Sequence, residues 1–184
     1  MDPSQERAIV IEQLGTALAQ LQPLLDPRLI PSGGLSFVYA MRGARDTGGI
    51  AGVSGGISCD GDKKLSGGPV GFGTDENGAR IVLTAMKFDP VVRSAAVLRY
   101  SPGLMTILGQ MFLECCSFDR VREPAGISTM DFGIASCCRD GVPDVIFDRG
   151  APGKEALVRL FGENPDAVAN NIIILSNRIL NIEI

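Results

Sequence analysis

The chain of 184 residues contains no histidine and no tryptophan, and aromatic residues make up only 5% of it. Histidine is the side chain that titrates near neutral pH without help, so a general acid or base here has to be a carboxylate, a lysine or a group of the ligand. The mixed cysteine and histidine ligand sets of structural zinc are excluded as well. These absences lower the expectation of an enzyme.

Positive charge and long apolar runs are also scarce. The 17 Lys and Arg residues are outnumbered by 21 Asp and Glu residues, so the formal net charge is −4 and the pI is near 4.9. A surface that binds DNA needs clustered Lys and Arg, and we therefore expect no direct DNA binding by this chain. Without an apolar run of about 18 residues or a basic leader, we expect no membrane contact and a cytoplasmic location.

The cysteines form two adjacent pairs and no C-x-x-C motif. Adjacent cysteines on a strand point apart and make poor joint zinc ligands, so no metal site is expected. We interpret them as buried thiols without an assigned function, and a redox role for one pair is the alternative. The five are Cys59, Cys115, Cys116, Cys137 and Cys138.

With 45% hydrophobic and 21% charged residues, the sequence predicts one domain over residues 1–184. A helix within residues 1–28 begins with Asp2 as cap and Pro3 in its first turn, and the domain body spans 31–180. The helix docks on the body or, alternatively, on a partner, through one apolar stripe. The stripe consists of Ile11, Leu14, Leu18, Leu21 and Leu25.

The remaining elements alternate. More than half of the 23 glycines lie between Gly33 and Gly78, among short apolar pieces that indicate short strands. A helix follows from near Thr74 to Met86, and cap-then-proline pairs indicate three more helices. This order favours helices on both faces of a mixed sheet. The pairs are Asp89-Pro90, Ser101-Pro102 and Asn164-Pro165, and the later strands are 97–100, 115–118, 142–147 and 156–161.

The segment 142–155, VPDVIFDRGAPGKE, is a candidate anion site because an apolar strand delivers two cations into a glycine loop. It is too short for a Walker A loop and lacks the following Ser or Thr. The alternative is an exposed turn with salt-bridged Lys and Arg. The candidate ligand-binding residues are Asp148, Arg149, Gly150, Gly153 and Lys154.

Several motifs occur in a fixed order, and together they resemble the ThiN family, the archaeal-type thiamine-phosphate synthase domain. The resemblance implies a three-layer α/β/α fold with a mixed sheet, similar to class II aldolases. It also implies an enzyme that joins hydroxymethylpyrimidine diphosphate to thiazole phosphate and releases pyrophosphate. The motifs are FG at 72–73, ARIVLTAMKFDP at 79–90, RYSP at 99–102, SFDR at 117–120 and VPDVIFDRG with GKE at 142–155.

Departures from that pattern favour binding over catalysis. The synthases carry a histidine and an arginine associated with catalysis where this chain has Asn77 and Gly56. In addition, Asp75 and Glu76 at the helix start would repel a diphosphate. The alternative is that both are plain capping residues facing solvent. The chain is therefore more similar to the ligand-sensing domain of archaeal thiamine regulators, with an active synthase or an unrelated binding module as alternatives.

The sensor interpretation implies a ligand and partners. The ligand is thiamine monophosphate or diphosphate, no cofactor is required, and magnesium enters only with a diphosphate. DNA is contacted only through a separate or upstream helix-turn-helix domain, and a homodimer is expected. Gly73 and Asn77 contribute to the ligand site. We expect the ligand's ring to contact Met86, Lys87, Phe88 and Asp89, although Asp89 can instead be a helix cap.

Overall fold

The structure is a computed structural model that describes residues 1–61, 64–122 and 129–182. For residues 122 and 129–131 it describes the backbone alone. Its centre is a seven-stranded sheet, accompanied by a two-stranded hairpin. The helices are α1 (Pro3–Leu21), α2 (Glu76–Met86), α3 (Pro102–Gln110), α4 (Thr129–Cys137) and α5 (Pro165–Ile179). The strands are β1 (Phe37–Ala40), β2 (Ile50–Val53), β3 (Ile57–Cys59), β4 (Leu65–Gly67), β5 (Val70–Phe72), β6 (Ser94–Arg99), β7 (Cys115–Ser117), β8 (Val145–Phe147) and β9 (Leu157–Gly162).

The sheet is mixed, as predicted. Its strand order is β5-β2-β1-β6-β9-β8-β7, and β3 pairs with β4 apart from it. The strands pair antiparallel except β7 and β8, which run parallel. The glycine-rich stretch therefore forms short strands, as its interleaved apolar residues indicate.

Helices cover both faces of the sheet, which confirms the three-layer α/β/α prediction. Successive strand residues point to opposite faces, so Phe37 and Tyr39 pack among α1, α3 and α5. Val38 and Ala40 pack on the other face, among residues of α2 and α4. Two apolar cores result, one on each side of the sheet.

The first helix docks on the domain, as its stripe indicates. Leu14, Leu18 and Leu21 are buried, and α1 packs against α5. Pro3 is the first helical residue, but the Asp2 side chain makes no capping hydrogen bond, so that part of the prediction is wrong.

One predicted helix is absent from the structure, and one helix of the structure was not predicted. Asp89-Pro90 begins no helix, because β6 starts at Ser94 and leaves room only for a turn, in which an Asp89 carboxylate oxygen accepts a hydrogen bond from the Val91 amide at 3.0 Å. In contrast, α4 was not predicted, since its short sequence shows no clear helical stripe. The helices after Ser101 and Asn164 are confirmed, and both side chains cap them.

The strands of the sheet begin and end on two opposite sides, which we call the Glu155 edge and the Asp89 edge. At the Glu155 edge, β1 begins and β6, β7 and β8 end, so residues 32–36, 99–101, 117–120 and 148–155 meet there. At the opposite Asp89 edge, β1 ends and β6 begins. The first residues of α2 lie at the Glu155 edge, where the Thr74 hydroxyl donates to the Gly52 carbonyl at 3.0 Å.

The described residues provide neither a membrane-spanning helix nor a cluster of metal ligands. None of the helices in this part of the chain is long and apolar enough to cross a membrane. The same residues contain no group of three or more His, Cys, Asp and Glu side chains placed to hold a metal ion.

Candidate functional site

The glycine loop predicted to bind an anion is a tight turn between β8 and β9. Gly150 and Gly153 adopt φ values of +75° and +72°, which glycine alone adopts without strain. A Cβ atom on Gly150 would lie 2.7 Å from the Lys154 carbonyl oxygen. The Lys154 amide donates to the Ala151 carbonyl at 2.8 Å and closes the turn.

Asp148 anchors this loop from inside the protein. Its carboxylate is completely buried, and one oxygen lies 2.8 Å from the Arg159 guanidinium, which is equally buried. The other oxygen accepts the Gly150 amide at 2.7 Å and lies 3.6 Å from the Arg120 guanidinium. Asp148 therefore positions the loop, whereas the sequence predicted it as a ligand contact.

The cluster around Asp148 carries excess positive charge. Arg120 and Arg159 both pair with this one carboxylate among the described residues. Burial lowers the pKa of Arg159, while Asp148 raises it and Arg120 lowers it further. Arginine stays protonated in proteins, so two cations share one buried anion. The excess favours an anion nearby, and the cavity that Arg120 lines already contains one, the carboxylate of Asp119.

The cavity beside this cluster opens at the Glu155 edge. We call it the loop cavity, and its volume is about 400 Å³. Arg120 and Arg149 both line it, and the Arg149 guanidinium lies 5.4 Å from the centre of the Phe147 ring. Lys154 is exposed and is not among the lining residues. The lining residues are Ser117, Phe118, Asp119, Arg120, Arg149 and Gly150.

A second cavity lies at the start of α2, and we call it the helix cavity. Its volume is about 280 Å³, and it brings together Gly56 and Asn77, which are 21 positions apart in the sequence. Asp75 caps α2 by accepting the Gly78 amide at 2.8 Å, and its second oxygen is buried without a partner among the described residues. The lining residues are Gly33, Ser36, Gly55, Gly56, Thr74, Asp75, Glu76 and Asn77.

Glu155 joins the walls of the two cavities. Its carboxylate accepts the Ser32 amide and hydroxyl at 3.0 and 2.6 Å, next to Gly33 of the helix cavity. Its carbonyl accepts Arg120 of the loop cavity at 2.7 Å. Burial alone would raise the pKa of Glu155, but hydrogen bonds from Ser32 and Arg99 lower it below its ordinary value.

The other predicted site residues lie elsewhere. At the Asp89 edge, Met86 ends α2 and is followed by Lys87, Phe88 and Asp89. The helix has 11 residues and is about 16 Å long. Met86 is buried in the core and Phe88 is 44% exposed. Gly73 donates its amide to the Ile50 carbonyl at 3.0 Å and lines neither cavity. The structure therefore does not bring these residues to the glycine loop.

The cysteines differ from the prediction of five buried thiols. Cys116 and Cys137 form a disulfide between β7 and α4. Cys115 is an exposed thiol, Cys59 is half-buried, and Cys138 is buried. Alternation along β7 explains why Cys116 and not Cys115 is bonded, because adjacent residues point to opposite sides of a strand and only one can face α4.

Sequence reasoning did not single out Arg120 and Arg159. Arg120 ends the SFDR motif, so a signal for it existed. Arg159 was included in a predicted apolar strand, and a charged residue in the middle of such a strand indicates a buried partner. The sequence alone did not identify that partner as Asp148.

Comparison with known proteins identifies relatives over most of the chain. The model of the family described as thiamine-phosphate synthase ThiN matches residues 13–174. The bifunctional thiamine biosynthesis protein ThiDN of Methanocaldococcus jannaschii is 34% identical over 172 residues, which cover 90% of this chain and 40% of that protein. Thiamine-phosphate synthase ThiN of Methanothermobacter thermautotrophicus is 30% identical over 105 residues, covering 53% of this chain and 55% of that protein.

Solved structures give the same picture. The C-terminal domain of phosphomethylpyrimidine kinase aligns with a TM-score of 0.84 and 33% identity, covering 92% of this chain and all of that one. The chain spans about half the length, or less, of the curated relatives it matches.

Proposed function

This chain belongs to the thiamine-phosphate synthase ThiN family, and we propose that it binds thiamine monophosphate or thiamine diphosphate without forming it. In this proposal the loop cavity holds the phosphate, and the helix cavity has lost its catalytic groups. One observation carries the proposal: Gly56 and Asn77, the two departures from the synthase pattern, line the same cavity. The residues of a site decide its function, and both departures therefore alter the same candidate site.

Gly56 is unsuited to the arginine that the synthase pattern has there. Its φ is +69°, and a Cβ atom would lie 3.0 Å from the Leu35 carbonyl oxygen. Any side chain at this position is strained. Asn77 is neutral at all relevant pH values and cannot replace a histidine in proton transfer. The helix cavity therefore offers neither a catalytic cation nor a titrating group at these positions.

The charge at the start of α2 also disfavours a leaving diphosphate. A helix N-terminus ordinarily attracts anions, because its amides and its dipole point outward. Here Asp75 and Glu76 line the helix cavity, and Asp75 already occupies the Gly78 amide. Two carboxylates at this place repel a second phosphate. This favours a product-like ligand over the diphosphate substrate.

The loop cavity retains what phosphate binding needs. Arg120 and Arg149 line it, and charge-assisted hydrogen bonds from guanidinium groups are among the strongest contacts to phosphate. The buried cluster around Asp148 keeps Arg120 in place. No cofactor is needed for this binding, and magnesium would enter only with a diphosphate ligand.

A regulatory use of the binding requires a partner. With its net charge of −4, the chain would act on DNA only through a separate or upstream helix-turn-helix domain. Binding of the ligand by a homodimeric sensor of this kind would report the level of thiamine phosphate. This part of the proposal is supported by the resemblance to thiamine regulators and by the two departures.

The test combines an activity assay with a binding assay. The purified chain is incubated with hydroxymethylpyrimidine diphosphate and thiazole phosphate, beside an authentic synthase, and titrated calorimetrically with thiamine monophosphate. We expect binding without product. Turnover comparable with that of the authentic enzyme would overturn the proposal.

An active synthase is the second candidate, because both curated relatives carry synthesis in their names. In that case Asn77 would contact the reacting groups from the helix cavity. The Asn77→Ala variant distinguishes the two functions. It would abolish turnover in a synthase, whereas a sensor has no turnover to lose.

A further inference from the structure

We propose that the Cys116–Cys137 disulfide is a redox site whose state sets how tightly the loop cavity holds its anion. The inference rests on the binding function proposed above and adds a regulation to it. The bond joins β7 to α4. The Cys137 sulfur lies 3.6 Å from the carbonyl oxygen of Ser117, and Ser117 lines the loop cavity.

A continuous series of contacts leads from α4 to the glycine loop. Gly133 of α4 packs so closely on the Phe118 ring that a Cβ atom there would clash with it. The Arg159 guanidinium also contacts this ring, and its central carbon lies 5.0 Å from the ring centre. Arg159 in turn holds Asp148, which binds the Gly150 amide. A shift of α4 therefore reaches the cavity wall through packed groups.

The covalent bond matters because β7 is weakly held without it. In the sheet order β7 is terminal, and its strand partner among the described residues is β8, through three residue pairs. Short edge strands contribute little pairing energy of their own. The disulfide fixes this strand to α4, which packs on α2. After reduction, β7 is held by its three-residue pairing with β8 and by packing, and no covalent bond joins it to α4.

Reduction of the Cys116–Cys137 disulfide needs an external dithiol, and the two sulfur atoms are accessible to one. Both bonded cysteines are half-buried, so a small reductant reaches them. A dithiol thiolate attacks one sulfur and forms a mixed disulfide, and its second thiol closes on the first. Two electrons and two protons thereby pass to Cys116 and Cys137, and the reductant leaves as its own disulfide. A disulfide oxidant reverses the step.

The neighbouring thiols do not compete for this bond. Burial and the nearby Asp144 raise the pKa of Cys115, and burial raises the pKa of Cys138 to about 11. Both are therefore almost entirely protonated near neutral pH, and the thiol is a poor nucleophile. The thiolate of an external reductant is therefore the better nucleophile toward this bond.

The experiment compares oxidised and dithiothreitol-reduced protein, with the cysteine states confirmed by alkylation and mass spectrometry. Hydrogen exchange is followed over residues 115–118 and 145–150, and affinity is measured by titration with thiamine monophosphate. We expect reduction to speed exchange in both segments and to weaken binding at least about fivefold. The Cys116→Ser/Cys137→Ser variant should match the reduced protein and ignore dithiothreitol. The Cys59→Ser control, in β3, should respond like the wild type.

The outcomes separate this inference from the binding proposal. Equal affinity for thiamine monophosphate in the two states, or no disulfide in the oxidised protein, would overturn the inference. If thiamine monophosphate binds in neither state, the binding proposal fails, and the redox inference fails with it because it concerns the affinity for this ligand. If the double variant does not fold, the reduced and alkylated wild type takes its place.

Discussion

The loop cavity and the helix cavity lie at the same edge of the sheet and share a link through Glu155, yet their chemistry is opposite. The loop cavity is lined by Arg120, Arg149 and Asp119, and Arg120 shares the buried Asp148 carboxylate with Arg159. The helix cavity is lined by glycines, an asparagine and two carboxylates. The proposed function rests on this difference: the fold would keep a phosphate anchor in one cavity and lack, in the other, the groups that perform a reaction.

The largest effect should come from breaking the framework of the loop cavity. Replacing Arg159 by Met leaves the buried Asp148 carboxylate without its closest cation, and we expect the free energy of unfolding to fall by about 3–5 kcal/mol. Urea denaturation measures it. The matched control is Arg99→Met, which removes an ion pair with Glu155 at the surface and should cost at most about 1 kcal/mol. Equal losses in the two variants would mean that the buried cluster does not organise this edge.

The next effect concerns the phosphate contacts themselves. Arg120→Ala and Arg149→Ala should each weaken binding of thiamine monophosphate by about 1.5–3 kcal/mol, since each removes a charge-assisted hydrogen bond. Calorimetric titration measures it, with thermal denaturation as a check because Arg120 also holds the Glu155 carbonyl. Lys154→Ala should have a smaller effect, because Lys154 does not line the loop cavity. Loss of binding only in the Lys154 variant would place the anion outside the cavity.

The claim that Gly56 of the helix cavity tolerates no side chain can be tested through the free energy of unfolding. Gly56→Ala introduces a Cβ atom at φ +69° and should lower the free energy of unfolding by about 1–3 kcal/mol. Gly15→Ala is the control, since it lies in α1 with open space around it and should be neutral or stabilising by up to about 1 kcal/mol. If Gly56→Ala is also neutral, the backbone there tolerates side chains, and a Gly56→Arg/Asn77→His variant becomes a fair test of restored catalysis.

The smallest effect is expected at the Asp89 edge. Asp89→Asn keeps the acceptor for the Val91 amide and removes one charge far from the loop cavity. Affinity for thiamine monophosphate should change by less than about 0.5 kcal/mol in a calorimetric titration. A clear loss of affinity would restore the sequence-based prediction that the ligand's ring contacts Met86 to Asp89.

Much of this architecture could be predicted from local signals. The apolar stripe of α1, the Ser101 and Asn164 caps and the glycine-rich strands depend on neighbours in the sequence, and they were predicted correctly. The Asp89 turn was predicted as a helix because a cap-then-proline pair carries no information about the strand that follows it. The Asp89 side chain does accept a backbone amide, from Val91, but it does so in a turn and caps no helix.

The site was harder to predict because it depends on distant pairs. Arg149 and the glycines were recognised from one segment, and Gly56 and Asn77 from family motifs. The pairing of Asp148 with Arg159, the place of Arg120, and the Cys116–Cys137 bond join residues from different elements. Periodicity and caps describe one element at a time, so they could not predict these contacts.

The most direct test of the central claim is whether the chain recognises the phosphate group of its ligand. Thiamine and thiamine monophosphate are titrated in parallel into the wild type and the Arg120→Ala/Arg149→Ala variant. The account predicts that the wild type binds thiamine monophosphate at least about tenfold more tightly than thiamine, and that the variant loses this preference. Equal affinity of the wild type for the two compounds would contradict the account.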